Sequence, residues 1–488
     1  MLVSLGKKDF SQQNIGYKRC KMKSLQLLPL CAVTALAHSH DHQEAHLGTC
    51  GSRGAPSLLS NLSPICRPDL PAGSGYLAAQ EPNSIAHGAK HWSHANSSAH
   101  KHHNLQHPWT RTSPCFRSKE NGQEYCVFSD SKFAESRGTA LVTTPERAAY
   151  LERIPAFTDP SLTKGTNQDI TRTKPAKYKV ERIEGKGMGV IATGFIDRGE
   201  LIMANTASLM FDYATYEYLE REEYLQIQAE AVDSLPEAHR RLVLGLSTHD
   251  EAANLSYVDL VDKITSTNAF DIDPADGDPD AHHSFYVIFP EIARMNHDCR
   301  AAADYYFDLD SLTQYIHAVR PIYPGEEITV SYIDPTMRQA DRVRKLRNNW
   351  GFACACAACT ASAPVVAASD DRLAQIAELA PEFGKIRSES RATPQMAELV
   401  VSLYEQERLW GMMDEAYRNA AVEWNGVGEP WTATKYARLA VEYGIYTSGE
   451  KDRDVADMEE LAADPWSHWS WMFRTRRRMG WGVKDDEE

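Results

Sequence analysis

Cys354-Ala355-Cys356-Ala357-Ala358-Cys359 puts three thiols into six residues. Thiolates this close repel one another unless a cation holds them. Zn²⁺ suits such a site, but it takes four ligands, with sulfur at about 2.3 Å. The local cluster therefore lacks one ligand. Cys299 is the only other cysteine after Cys126 and supplies it. A four-thiolate centre of Cys299, Cys354, Cys356 and Cys359 closes the tetrahedron and pins two distant segments together. The competing reading is a group of buried or redox-active thiols.

Working outward, Met295-Asn296-His297-Asp298-Cys299 sets an amide and an imidazole beside the fourth thiol. Upstream, Lys177–Ile183 reads as a strand, Glu184-Gly-Lys-Gly-Met-Gly189 as a glycine-rich turn, and Val190-Ile-Ala-Thr as a second strand. Glycines there let backbone groups approach a ligand closely. A strand follows the turn, not a helix, so it is no Rossmann phosphate loop. Further strand-like runs are Leu201-Ile-Met, Tyr286-Val-Ile-Phe, Ala303–Asp308, Tyr315–Val319 and Ile328–Tyr332, the last following Tyr323-Pro-Gly-Glu. Residues 213–268 lose alternation and read as a helical insert. Many short strands around a helical insert predict a β-rich α+β domain. We place it at residues 176–345, with the cysteine cluster at 346–362.

Glycine turn, helical insert, N-H-D-C, G-E-E-I-T-V-S-Y and C-A-C-A-A-C, in that order, resemble the SET-domain protein lysine methyltransferases, most nearly their SMYD-like branch. The resemblance covers about residues 176–360 and extends more loosely to 475. It implies a SET fold with a post-SET zinc cluster, S-adenosylmethionine on one face and the substrate lysine entering from the other. Carried over by position, Lys186, Gly187, Met188 and Gly189 line the methionine end of the cofactor. Asn296 and His297 contact it by side-chain amide and backbone, and Phe352 covers its adenine. Tyr332 stands beside the transferring methyl, and Glu327 braces the fold. Two departures are plain. The insert holds no cysteine series, so the MYND zinc finger of that branch is not expected. The family continues N-H-x-C with x-P-N, whereas Arg300-Ala301-Ala302 follows here.

The chemistry has its own logic. A lysine amine with a pKa near 10.4 is neutral in only about one molecule in 2,500 at pH 7, so freeing the nucleophile costs about 4–5 kcal/mol. An apolar aromatic channel disfavours the ammonium and lowers that cost. Tyr305, Tyr306 and Tyr286 are candidate channel walls, or equally strand-core aromatics.

The flanks differ from this centre. Residues 370–475 are helical: Met396, Leu399, Val400 and Leu403, then Tyr417, Ala420, Ala421 and Trp424, then Ala433, Tyr436, Ala437 and Ala440 repeat at helical spacing. Small and aromatic residues alternate there, a pattern similar to tetratricopeptide hairpins. Residues 1–135 hold eleven of the 18 His among Ser, Gly, Asn and Pro, and read as a mostly disordered arm. Residues 136–175 read as a linker. Within the arm, Met22–Ala37 has the basic start, short apolar run and small-residue end of a secretory signal. Its export reading conflicts with a four-thiolate centre, which needs reduced sulfur and so favours cytoplasm or nucleus. Sequons at Asn61, Asn96 and Asn254 fit either, and Cys50, Cys66, Cys115 and Cys126 allow three disulfide pairings.

Lys plus Arg is 52 and Asp plus Glu is 67, a net charge of −15. This argues against a nucleic-acid binder, which carries a basic face, and favours a basic partner such as a lysine-rich protein tail. No run of 18 apolar residues predicts a membrane span. Three functions remain: methyl transfer to a protein lysine, histone or otherwise; a non-catalytic SET and helical scaffold that holds a partner; and a secreted metal-binding protein built on the His-rich arm, its SET region vestigial.

Overall fold

The computed structural model describes residues 108–167, 177–248, 255–272, 284–385 and 390–480. The signal-like stretch, the His-rich run, Cys50, Cys66 and the three sequons lie outside them.

β1 (Cys115–Arg117) and β2 (Glu124–Asp130) pair antiparallel, with Cys115 opposite Cys126 and the two joined as a disulfide. β2 pairs with β3 (Thr139–Thr143), and β3 runs parallel to β7 (Leu209–Asp212). With β9 (Phe285–Ile288) and β8 (Phe270–Ile272) they form a six-stranded sheet in the order β1-β2-β3-β7-β9-β8. This corrects two expectations. Part of the supposed disordered arm, and part of the supposed linker, contribute three strands to the largest sheet. Tyr125-Cys-Val-Phe-Ser and Thr139-Ala-Leu-Val-Thr are buried along their whole lengths. Strands covered on both faces carry no alternation, which is why the pattern hid them.

β4 (Tyr178–Ile183) and β5 (Gly187–Ala192) form the hairpin around the glycine turn. β6 (Leu201–Thr206) pairs with β12 (Thr313–Ala318), which pairs with β11 (Ala303–Asp308). β13 (Glu327–Val330) lies between β5 and the two-residue β10 (Asn296–His297), in the order β10-β13-β5-β4. β10 runs parallel to β13, with Asn296 opposite Thr329 and His297 opposite Val330. In a parallel pair both chains leave at the same end. Cys299 and Tyr332, each two residues past a register pair, therefore emerge side by side.

The insert is helical as read: Tyr213–Tyr218, Arg221–Asp233, Glu237–Leu244 and Tyr257–Asn268. Its apolar face, with Ile227, Val232 and Ile264, packs on the sheet through Tyr125, Val127 and Phe211. Each such side chain contributes about 1.5–3 kcal/mol on full burial.

After helix Gln339–Trp350 come Ala363–Phe383, Pro394–Glu407, Met413–Gly426, Pro430–Thr447 and Arg453–Ala463. Ala420, Ala421, Ala433, Ala437 and Ala440 are buried, as the periodicity required, so neighbouring helices approach over small residues. Leu399 departs and is 44% exposed. Polar ties join these helices to the sheets. The Arg198 guanidinium donates to the Tyr443 hydroxyl at 2.7 Å and pairs with Glu442, and Lys451 pairs with Asp310 at 2.6 Å.

Asp304 on β11 is enclosed at the same joint, where a methyl group on Gly411 would meet its carboxylate. Burial, which the Tyr305 N–H only partly offsets, and the nearby Asp414 carboxylate push its pKa up to about 7. An acid whose folded pKa lies above its unfolded value of 3.8 stabilises the fold fully at low pH. That stability is lost as pH rises from about 4 through 7. Asp304→Asn should therefore raise Tm by several degrees at pH 8, from a penalty of about 4 kcal/mol at most. The advantage should shrink steadily as pH falls from 7 towards 4. Thermal scans across that range check it.

Candidate active site and thiolate centre

The parallel pair β10–β13 fixes the geometry. The Tyr332 backbone N–H donates to His297 Nδ1 at 3.0 Å, and its hydroxyl donates to the Met295 carbonyl at 2.6 Å. A backbone N–H can only donate, so His297 Nδ1 accepts and a neutral ring carries its proton on Nε2. Nε2 lies 3.2 Å from Cys299 Sγ and is placed to donate to it. Burial holds the ring neutral, with its pKa down to about 4. One imidazole thus links the phenol-bearing strand end to the first thiol.

Burial, reinforced by the Glu327 carboxylate, pushes the Tyr332 phenol well above its ordinary range, so it stays protonated. Its proton is committed to Met295, leaving the oxygen lone pairs as acceptors. That suits an oxygen meeting an amine N–H or a polarised methyl.

On the other side of β13 lies the glycine turn. Asn296 Nδ2 donates to the Met188 carbonyl at 3.2 Å and to Glu327 Oε1 at 2.8 Å, while Lys186 Nζ pairs with Glu327 Oε2 at 2.5 Å. Glu327 braces both, as expected. At Gly189 an added Cβ would sit 2.2 Å from Ile183 Cδ1 and 2.8 Å from Asn296 Nδ2, so only glycine lets β5 lie this close. Gly185 and Gly187 have φ of +73° and +81° with open space beside them. Together with the half-exposed Met188 they leave an accessible face along the turn.

A channel of about 90 Å³ opens against Tyr332, walled by Phe270, Tyr305, Met295 and Trp350; among the described residues, Asp271 and Asp334 are its only ionisable groups besides the tyrosines. The Trp350 and Tyr332 rings are 5.4 Å apart, and Phe270 meets Tyr305 edge-on at 5.3 Å. Of the three tyrosines offered as walls, only Tyr305 lines it. Tyr286 packs edge-on against Tyr213 on the insert side of the sheet. Tyr306 stacks on Tyr315 and His317, with Gly449 of the helical region against its ring. Alternation along β11 sends neighbours to opposite faces, so Tyr305 and Tyr306 could not both face the channel. Phe270, Asp271 and Trp350 escaped the sequence reading. Trp350 had a faint signal, because Gly351 after it ends the helix in a left-handed conformation (φ +76°).

The four Sγ atoms of Cys299, Cys354, Cys356 and Cys359 lie within 4.8 Å of one another, and Cys299 and Cys359 are 3.5 Å apart. Tetrahedral zinc with sulfur ligands needs edges of about 3.8 Å, so the donor set fits that ion. Hydrogen bonds received from the Cys299, Cys354 and Cys359 thiols favour the thiolate at Cys356. Arg342, 1% exposed, places its guanidinium against Cys299 and Cys359 and also donates to the Met337 carbonyl. A buried cation is costly unless paired, and thiolates supply its counter-charge. Phe352 enters the same cluster, its ring 6.2 Å from His297.

Residues 187–333 match the family model described as the SET domain. The chain carries a SET domain. The chain is similar over part of its length to several curated proteins. It is 36% identical over 99 residues to a SET and MYND domain-containing protein of Dictyostelium discoideum, covering 19% of this chain and 28% of that protein. It is 39% identical over 74 residues to N-lysine methyltransferase SMYD2-B of Danio rerio, 15% of this chain and 17% of that protein. The histone-lysine N-methyltransferase set5 of Schizosaccharomyces pombe is 31% identical over 185 residues, 38% of this chain and 50% of that protein. The matches span at most half the length of these relatives.

Proposed function

We propose that the chain is an S-adenosylmethionine-dependent methyltransferase acting on a protein lysine, with Zn²⁺ held by Cys299, Cys354, Cys356 and Cys359. The observation that carries this is the Tyr332 phenol, its proton spent on Met295, at the wall of an aromatic channel. Two of the relatives are named as lysine methyltransferases, which supports the reaction class.

When bound, the cofactor supplies an electrophilic methyl group on a sulfonium. Gly187, Met188 and Gly189 offer it backbone and an open face, and Asn296 and Lys186 bound that face. Phe352 is suited to cover the adenine. The channel takes the lysine stem between Phe270, Tyr305 and Trp350, excluding water and disfavouring the ammonium. Tyr332 accepts an amine hydrogen bond and so aims the nitrogen lone pair, a matter of orientation. Among the described residues the channel lining carries Asp271 and Asp334 and no lysine or arginine, which fits a basic substrate segment. A tetratricopeptide-like helical region would present that substrate or a partner.

The test is incubation with labelled S-adenosylmethionine and core histones or a lysine-rich extract, with product mapping by mass spectrometry. Methylated lysine is expected. Binding of S-adenosylhomocysteine without transfer to any protein would favour the scaffold, a reading supported by Arg300-Ala301-Ala302 where the family pattern has x-P-N.

A further inference from the structure

Arg300 stands where the chain departs from the family pattern, and its contacts are unusually placed. Its Nη1 donates to the Cys299 carbonyl at 2.7 Å and to the Pro335 carbonyl at 3.0 Å. Its Nη2 pairs with Glu407 Oε2 at 2.5 Å. Its own backbone N–H donates to Asp298 at 2.8 Å. Cys299 belongs to the segment carrying Asn296 and His297, and Pro335 follows Tyr332 by three residues. Glu407 ends the helix Pro394–Glu407. One guanidinium thus touches the segments that follow both strands of the parallel pair and the helical region.

The far end of this link is firmly held. The Glu407 side chain is 3% exposed and Arg300's is 11%. Ser369 Oγ and Arg372 Nε, both from the helix Ala363–Phe383, also donate to Glu407 at 2.7 Å. These donors outweigh burial and keep the carboxyl below its ordinary range. An ammonium could not reproduce the connection, because it lacks the planar fork that meets three acceptors at once.

We propose that Arg300 is a positioning residue: it sets the spacing between the His297–Cys299 segment and the Tyr332–Pro335 segment, and takes its own position from Glu407, so that the helical region controls the geometry of methyl transfer. This rests on the function proposed above. A group that acts on spacing can matter greatly, since a displacement of about 1 Å at a reacting centre costs about 100-fold in rate.

The experiment compares wild type with Arg300→Met, Arg300→Lys, Glu407→Gln and Arg372→Met in the whole chain. Amide hydrogen exchange is read by mass spectrometry over residues 295–302 and 328–335, without substrate or cofactor. Methyl-transfer kinetics on core histones are measured separately. Arg300→Met and Glu407→Gln should speed exchange in both segments by about tenfold or more. They should also lower kcat by about 10- to 100-fold while the KM for S-adenosylmethionine stays within about threefold. Arg300→Lys should recover part of both effects. Arg372→Met, which disturbs Glu407 without touching either segment, should leave both near wild type. Unchanged exchange in Glu407→Gln, or equal loosening by Arg372→Met, would overturn the proposal. Faster exchange in Arg300→Met and Glu407→Gln, with a wild-type protein that methylates nothing, would sink only the methyltransferase reading.

Discussion

Tyr332→Phe should lower single-turnover methyl transfer by about 100- to 1,000-fold, the usual cost of removing one preorganised polar contact at a reacting centre. The substitution deletes a single oxygen. The ring stays between Trp350 and His297, so the wall keeps its shape. The backbone N–H still donates to His297. What disappears is the hydroxyl of a channel-lining residue, its proton already given to the Met295 carbonyl. The freed Met295 carbonyl costs about 1 kcal/mol of stability, too little to unfold the domain. Binding of S-adenosylhomocysteine, followed by calorimetry, should change by less than about threefold, because the glycine turn lies across β13 from Tyr332 and the Asn296 amide is held by Met188 and Glu327, not by the phenol. Undiminished turnover by the phenylalanine variant would remove Tyr332 from the reaction.

Loss of the thiolate centre should be the other large effect. Cys359→Ser, or exhaustive chelation, is expected to strip Zn²⁺ and lower methyl transfer at least about 100-fold. The path runs through named contacts. Without the ion, residues 352–360 lose their tie to Cys299, and Cys299 loses the charge that makes it an acceptor for His297 Nε2. Arg342 is then a buried guanidinium with a carbonyl and no anion, a situation worth several kcal/mol of destabilisation. The large apolar cores do not touch the ion, so far-ultraviolet circular dichroism should be largely kept while exchange over 350–360 accelerates. Zinc content by inductively coupled plasma mass spectrometry reads the first step. Wild-type zinc affinity in Cys359→Ser would show that the ion sits elsewhere.

How much of this was legible depended on whether a residue's role was local. The cysteine spacing, the glycine turn and the N-H-D-C run are short-range signals, and the structure brings Cys299 to the other three thiols and Tyr332 to His297. The helical insert and the small-residue faces of the later helices were likewise readable, because each period repeats within a few turns. β2 and β3 were not, since strands buried on both faces look like any apolar run. Phe270 and Trp350 both line the channel although they lie 80 positions apart in the chain. Nothing adjacent in sequence to either announces that meeting. Arg300 carried no signal of its own beside Ala301 and Ala302, which stand where the family pattern has proline and asparagine; its partner Glu407 lies 107 positions away.

The two-residue strand Asn296–His297 has a consequence for biosynthesis. Its neighbour Thr329–Val330 is made about thirty residues later, and the thiols that clamp the pair come later still. Closing such a loop costs entropy before any contact repays it. A chain emerging from the ribosome can finish its amino-terminal sheet early, yet its crevice cannot take shape until Cys359 is free of the exit tunnel. A nascent chain halted before that point would be well folded over much of its length and chemically inert.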